Sequence, residues 1–364
     1  MAFPFSEKST SEPVNHSDEF LTDINNYGDN LKKNKLPVIY TLYHLCQMAE
    51  VPVKEILRVC ESTRIEHYKR FKIRKKRGGF RVIQTPSDSL KYLQRWILVN
   101  ILNELDSHER CFGFEKKSSI LKNASVHLNQ PAILKLDLQR FYDSINEKRI
   151  YGVIQSFGYH SNLSVYMAKL LTVLPNDYFF ESFKKTESNL KNKLQKLNQG
   201  VLSQGAPTSP KISNLVCRRL DQRMYELAIK NGLNYSRYAD DITFSGNIEV
   251  LRKVKKAAYY IINDEKFFVN YGKTKFIKAG GKFLVTGLNI ENGSVTVPKK
   301  KKMEIEHHLY HCLNNGVINH LKTSKMPQRN FKDWLLGNIA FVHSIEKNVA
   351  KVYFEQFNKI NWPI

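Results

Sequence analysis

The chain has 364 residues, with 57 Lys and Arg against 34 Asp and Glu, a net charge of +23 and 42% hydrophobic residues. That length allows one large unit or two to three smaller ones around a sizeable core. The cationic excess, with a pI near 9.6, is too large for an average metabolic enzyme and points to a polyanionic partner, nucleic acid being the commonest.

No apolar run approaches the roughly 20 residues of a spanning helix, and the opening MAFPFSEKSTSEPVNHSDEF does not read as a signal peptide. A cytoplasmic chain with no membrane partner is therefore expected. Residues 1–36 read as a loose N-terminal extension or cap. The five cysteines, Cys46, Cys60, Cys111, Cys217 and Cys312, are scattered and odd in number, which fits reduced thiols buried as small apolar side chains.

Apolar spacing over residues 36–62 predicts two short helices. YKRFKIRKKRGGFRVIQTP alternates apolar and basic residues about Gly78-Gly79, a hairpin with a basic outer face. SDSLKYLQRWILVNILNEL predicts an amphipathic helix with Ser87 or Asp88 at its N-cap. AILKLDLQRFYDSI reads as a buried strand running into a turn and helix, and SNLSVYMAKLLTVL as a helix. Residues 181–200 are polar and lysine-rich, an exposed helix or a mobile insertion. QGAPTSPKISNLVCRRLDQRMYELAIKNG gives a loop and a helix starting near Pro210. NYSRYADDITFSG gives two short strands around Asp240-Asp241, and VLRKVKKAAYYIINDEKF another amphipathic helix. KFLVTGLNIENGSVTVP gives two strands joined at Asn292-Gly293. PKKKKMEIEHHLYHCLNNG starts a helix with Pro298 in its first turn. His307, His308, His311 and Cys312 cluster there, and a solvated helix face is expected in place of a zinc site. The remainder is helical and aromatic-rich. Mixed strands and helices before a purely helical tail predict an α+β core with a helical C-terminal subdomain.

The chemistry lies in the carboxylates. Asp137 stands between Leu136 and Leu138 in an apolar strand, which is costly unless it is paired or metal-bound. The Asp240-Asp241 pair is also compatible with an ordinary turn. If the two strand segments are neighbours in one sheet, three carboxylates converge. Their repulsion is then relieved by hard divalent cations, which prefer oxygen ligands. Two Mg²⁺ ions can clamp the attacking and leaving oxygens of a phosphoryl transfer.

ILKLDLQRFYDSI, VLSQGAPTSPKISN and SRYADDITFS, in that order, resemble motifs A, B and C of reverse transcriptases. FKIRKKRGGFRVIQTP resembles the first fingers motif, and VNYGKTKF resembles motif D. NASVH (Asn123 to His127) and VTG (Val285 to Gly287) resemble the two markers of retron reverse transcriptases. The resemblance covers nearly the whole chain from about residue 37. It implies a right-hand polymerase with fingers at 37–130, palm at 131–290 and thumb at 291–364. It further implies RNA-templated DNA synthesis on a cognate structured non-coding RNA. Synthesis would be primed from a guanosine 2′-hydroxyl and give branched RNA–DNA (msDNA). An effector (toxin) protein and a role in anti-phage defence are implied as well.

The resemblance also assigns roles. Asp137, Asp240 and Asp241 would be catalytic and bind two Mg²⁺ ions. Lys75, for which Arg74 or Lys76 could substitute, and Arg81 would contact the dNTP triphosphate. Tyr142 would exclude a 2′-hydroxyl, and Gln204 would touch nucleotide and template. Gly205 and Pro207 would let the backbone pass close to the base pair, and Ser203 stands where the family usually has Pro. Lys273 would assist proton transfer to pyrophosphate or neutralise it. Asn123, His127 and the run Lys299, Lys300, Lys301 and Lys302 would bind RNA. The residues alone leave other readings open: a group II intron or abortive-infection type enzyme, or a catalytically silent RNA-binding scaffold.

Overall fold

The computed structural model describes residues 18–74, 80–278, 281, 283–291, 293–324 and 330–363. The order is α+β: helices, a hairpin, a mixed middle and a tail of four helices. From Asp18 onward the expected N-terminal extension is not simply loose. Asp18–Lys33 is a helix whose Leu31 is fully buried in the main core, and the Tyr27 hydroxyl donates to the Ile39 carbonyl at 2.6 Å. Its apolar positions, sparse in sequence, find a partner only in three dimensions.

Tyr68–Arg74 (β1) pairs antiparallel with Phe80–Pro86 (β2). The expected tip at Gly78-Gly79 lies outside the described residues. The strand expected at Asp137 is Ala132–Asp137 (β3). Thr172–Val173 (β4) and Val201–Leu202 (β5) form a small ladder of their own. Asn234–Tyr238 (β6), Asp241–Ser245 (β7) and Lys275–Lys278 (β8) join β3 in one four-stranded sheet of order β6-β7-β3-β8.

β3 is central and enclosed on both faces. Ala132, Leu134 and Leu136 enter the main core, while Ile133 enters a second core shared with the C-terminal helices. This double burial explains a near-continuous apolar run in place of strict alternation.

Of the two readings of the lysine-rich stretch, the helix is the one observed: it contains Ser188–Leu197, with the short helix Asp177–Glu181 leading into it. Leu190 and Leu194 are buried in a small satellite core with Phe179, Phe180, Phe183 and Phe268 packed against it. Residues 284–296 form three strands where two were expected: Leu284–Val285 (β9), Leu288–Glu291 (β10) and Ser294–Thr296 (β11). Thr286 and Gly287 both adopt left-handed backbone, with φ of 48° and 82°, and this turn folds the first segment in two. Asn292, part of the expected second turn, lies outside the described residues.

Helices Lys299–Asn315, Val317–Ser324, Phe331–His343 and Lys347–Asn358 build the second core. The expected solvated histidine face holds for exposed His307 and half-buried His311, but not for His308 and Cys312, which are buried. His308 is 7% exposed, lies 2.8 Å from His320 through their ring nitrogens, and packs against Phe331 and Trp334. All five cysteines are buried, and burial pushes the Cys46 thiol up to about 11 and the Cys60 thiol up to about 12.

His127 is fully buried against the four-stranded sheet, its ring nitrogens 2.7 Å from Ser245 Oγ and 2.8 Å from Ser236 Oγ. Burial, with Lys135 and Arg110 adding to it, holds its pKa down at about 3. The unfolded imidazole titrates near 6.5, so the unfolded chain binds this proton more readily. The stability tied to neutral His127 is fully present above pH 6.5 and is lost as pH falls toward 3. Urea unfolding should show about 2 kcal/mol less stability from this site at pH 5 than at pH 7. His127→Gln, which keeps a donor and an acceptor, should flatten that part of the pH profile; an unchanged profile would remove His127 as its source.

Candidate active site

Directly opposed residues of an antiparallel pair share a face. In β3 and β7, Asp137 stands opposite Asp241, Lys135 opposite Thr243 and Ile133 opposite Ser245. β6 and β7 are joined by only Ala239 and Asp240, since Tyr238 pairs with Asp241. The Leu138 amide donates to the Asp240 carbonyl at 3.0 Å, which ties that turn to the end of β3. The two strand ends foreseen as neighbours are therefore neighbours, and all three aspartates meet at one end of the sheet's interior strands.

Their charges oppose one another. The Asp240 carboxyl is pushed up to about 6, first by burial, then by Asp241 and Asp137. Asp241 is raised by burial, with Lys135 opposing and Asp137 adding. Asp137 is 7% exposed and accepts from Asn270 Nδ2 at 2.8 Å and Lys273 Nζ at 2.9 Å. Among the described residues no group of three or more carboxylate, imidazole or thiol side chains forms a ready-made cation site. The donor set still fits a hard divalent cation. It is all carboxylate oxygen, and the rise at Asp240 records negative charge short of compensation.

The Tyr142 hydroxyl is pushed up to about 12 by burial and then by Asp240, while Arg81 acts in the opposite sense. Tyr142 thus lies within electrostatic reach of both Asp240 and Arg81. Lys75 lies outside the described residues. Half-buried Gln204 accepts through its carbonyl from the Gln84 amide at 2.8 Å. Gly205 has φ of +134°, and a Cβ there would lie 2.7 Å from the Gln84 carbonyl oxygen, so only glycine fits.

Asn123 and His127 do not face solvent, against the expectation of RNA contact. Asn123 is 1% exposed, and its Nδ2 donates to Thr286 Oγ1 at 3.4 Å. The two marker segments therefore meet each other, fastening the segment before the helical tail to the four-stranded sheet. The lysine run divides. Lys301 reaches Glu304 at 3.1 Å and Lys302 reaches Glu346 at 3.0 Å, while Lys299 and Lys300 are exposed.

Four residues behind the turn, Arg237, Asp221, Asn214 and Gly113, escaped the sequence reading. Arg237 is fully buried and pairs with fully buried Asp221 at 2.6 Å. It also donates to the Ala239 carbonyl at 3.0 Å and Asn214 Oδ1 at 3.1 Å. Ala239 is held at φ of 54°, a strained setting for a residue with a Cβ, and Arg237 fastens it there. Ser203 is 1% exposed and donates to the Gln84 carbonyl at 2.9 Å, a role no proline could fill. Gly113 lies so close that a Cβ would sit 2.9 Å from the Ala239 nitrogen. The available signal was Arg237 itself, a charge inside a short apolar strand.

Two outcomes follow from this geometry. The folded pKa of Asp240 lies above its unfolded value of 3.8, so its ionisation costs stability above pH 6 and nothing below 3.8. In EDTA at pH 7.5, Asp240→Asn should therefore raise the unfolding free energy by roughly 1–2 kcal/mol, a gain that fades as pH falls to 4. Gly113→Ala should lower kcat for primer extension roughly 10- to 100-fold, because the turn must shift, with a far smaller loss of unfolding free energy. Unchanged kcat would show that the turn has slack.

Comparison with known proteins agrees with this geometry. Residues 73–290 match the family Reverse transcriptase (RNA-dependent DNA polymerase). The Retron Ec86 reverse transcriptase of Escherichia coli is 33% identical over 300 residues, covering 80% of this chain and 85% of that protein. The Retron Ec73 reverse transcriptase of Escherichia coli is 30% identical, covering 81% and 88%. The Retron Mx162 reverse transcriptase of Myxococcus xanthus is 28% identical, covering 81% and 61%. Among the described residues no helix is long and apolar enough to cross a membrane. With a family match over more than half its length and its carboxylates at the ends of neighbouring strands, the chain belongs to the retron reverse transcriptases, RNA-directed DNA polymerases of right-hand fold.

Proposed function

We propose that this enzyme works in the cytoplasm on a cognate structured non-coding RNA and copies part of it into DNA. Synthesis starts from a guanosine 2′-hydroxyl of that RNA and gives branched msDNA. Enzyme and hybrid act with an effector (toxin) protein in anti-phage defence. The observation that carries the polymerase chemistry is the register that sets Asp137 opposite Asp241 with Asp240 in the adjoining turn. The retron relatives and the charge of +23 support the RNA partner.

In each cycle the primer hydroxyl attacks the α-phosphorus of a dNTP, a new P–O bond forms and pyrophosphate leaves. Two Mg²⁺ ions held by Asp137, Asp240 and Asp241 would supply the acidity of the attacking hydroxyl and the charge neutralisation of the triphosphate. Arg81 and Lys75 bind the triphosphate. Tyr142 lies under the incoming sugar and leaves no room for a 2′-hydroxyl. Gln204 and Gly205 bring backbone against the base pair. Lys273, 62% exposed, leaves Asp137 to protonate or neutralise the departing pyrophosphate. Lys299 and Lys300 take RNA phosphates. Residues 37–130 serve as fingers, 131–290 as palm and 291–364 as thumb.

The test is to purify the chain from bacteria carrying its native flanking DNA, extract nucleic acid and digest separately with RNase and DNase. The expected result is a discrete DNA joined to RNA, absent from Asp240→Asn. Bound RNA with no DNA, unchanged by that substitution, would favour a silent RNA-binding scaffold.

A further inference from the structure

Both carboxylate oxygens of Asp137 are met by one short stretch of chain. Residues 268–270 run antiparallel beside the end of β3. The Gln139 amide donates to the Phe268 carbonyl at 2.7 Å and the Asn270 amide to the Asp137 carbonyl at 2.8 Å, and Leu138 is bridged to Val269. The chain then turns at once, the Lys273 amide donating to the Asn270 carbonyl at 3.0 Å. That turn brings two side-chain donors to one carboxylate. Asn270 Nδ2 donates to Asp137 Oδ1 at 2.8 Å, and Lys273 Nζ donates to Asp137 Oδ2 at 2.9 Å.

The two donors differ in kind. Asn270 is half-buried, and its main chain is bonded through both its amide and its carbonyl, so its side chain is fixed from the backbone outward. It carries no charge. Each carboxylate oxygen has two lone pairs, so a bond at Oδ1 does not oppose a cation on the same group. Lys273 is 62% exposed on a flexible stem, and its full charge repels any second cation brought near. That ammonium is felt by the whole cluster. Burial raises the carboxyls of Asp240 and Asp241, and Lys273 opposes the rise at both. An aspartate at position 270 would add a fourth negative charge, and a lysine would add a second competing cation. A neutral amide orients Asp137 and leaves the charge of the cluster as it is.

We infer that Asn270 is a positioning residue, which holds the Asp137 carboxylate in place while a divalent cation displaces Lys273 from it. The inference rests on the reading of the three aspartates as the cation site, and it gives the two donors opposite effects. Asn270 favours the cation and Lys273 competes with it.

The test uses the full chain, stripped of nucleic acid and divalent metal. Mn²⁺ is the probe, because it shares the oxygen preference of Mg²⁺ and its free form is counted by electron paramagnetic resonance. Asn270→Ala should weaken Mn²⁺ binding about tenfold, as loss of a group that orients a metal ligand does. Lys273→Met should tighten it roughly threefold, since one positive charge leaves the cluster. Primer extension gives a second readout. The Mg²⁺ concentration for half-maximal rate should rise about tenfold in Asn270→Ala, and excess Mg²⁺ should restore most of kcat, which it would not do for a merely structural loss. Asp240→Asn separates this inference from the reading beneath it. Mn²⁺ weakened by Asp240→Asn but not by Asn270→Ala overturns the positioning role and leaves the cation site standing. Mn²⁺ unchanged by Asp240→Asn removes the cation site and the inference with it. Should Asn270→Ala fail to fold, Lys273→Met decides alone: tighter Mn²⁺ supports the exchange, and equal or weaker Mn²⁺ overturns it.

Discussion

Mutual repulsion of Asp137, Asp240 and Asp241 is the constraint around which the rest of the molecule is arranged. Left to themselves, three carboxylates move apart and into water. Here the backbone gives them no such freedom. Asp137 and Asp241 are fixed by strand register, and Asp240 by a two-residue link whose first member is held in left-handed backbone. Charge that cannot disperse is available for a cation and a triphosphate. The folded chain carries the cost of that arrangement until a ligand relieves it.

What holds the turn is largely out of sight. The Arg237–Asp221 pair is wholly enclosed, and such pairs are weak arguments for stability. Its value here is directional. One guanidinium joins the helix Arg218–Lys230, through Asp221, and the helix Ser209–Val216, through Asn214, to the Ala239 carbonyl. Asn214 in turn donates to the Gly113 carbonyl at 2.6 Å and Glu115 Oε1 at 2.9 Å. Four separate stretches of chain therefore agree on the position of one peptide. On the sheet face shared with Asp137, His127 links Ser236 of β6 to Ser245 of β7, which stiffens the same hairpin at its far end.

Much of this is legible in the amino-acid sequence. The alternation in β1 and β2, the apolar run of β3 and the paired aspartates each carry a local physical signature, and local signatures survive in sequence. The order of the motifs carried the family. Less legible were features that depend on contacts distant along the chain. The burial of Asn123 and His127 could not be read from NASVH, because their partners Thr286, Ser236 and Ser245 lie more than a hundred residues away. The same holds for Leu31 in a segment that reads as polar, and for the lysine-rich helix whose two inward leucines meet phenylalanines on either side of it. The strand break at Thr286-Gly287 was hidden because threonine is an ordinary strand residue.

The root of the basic hairpin has a mechanical consequence. Gln84 is bonded through both sides of its peptide, its amide to the Gln204 carbonyl and its carbonyl to the Ser203 hydroxyl. Gly205 leaves no room between the two segments. A lever pinned there cannot pivot at its base, so any bending must occur beyond Gln84, in the outer rungs between Arg70 and Arg81. The loop from Ser203 to Gly205 and the root of the hairpin are thereby held as one body.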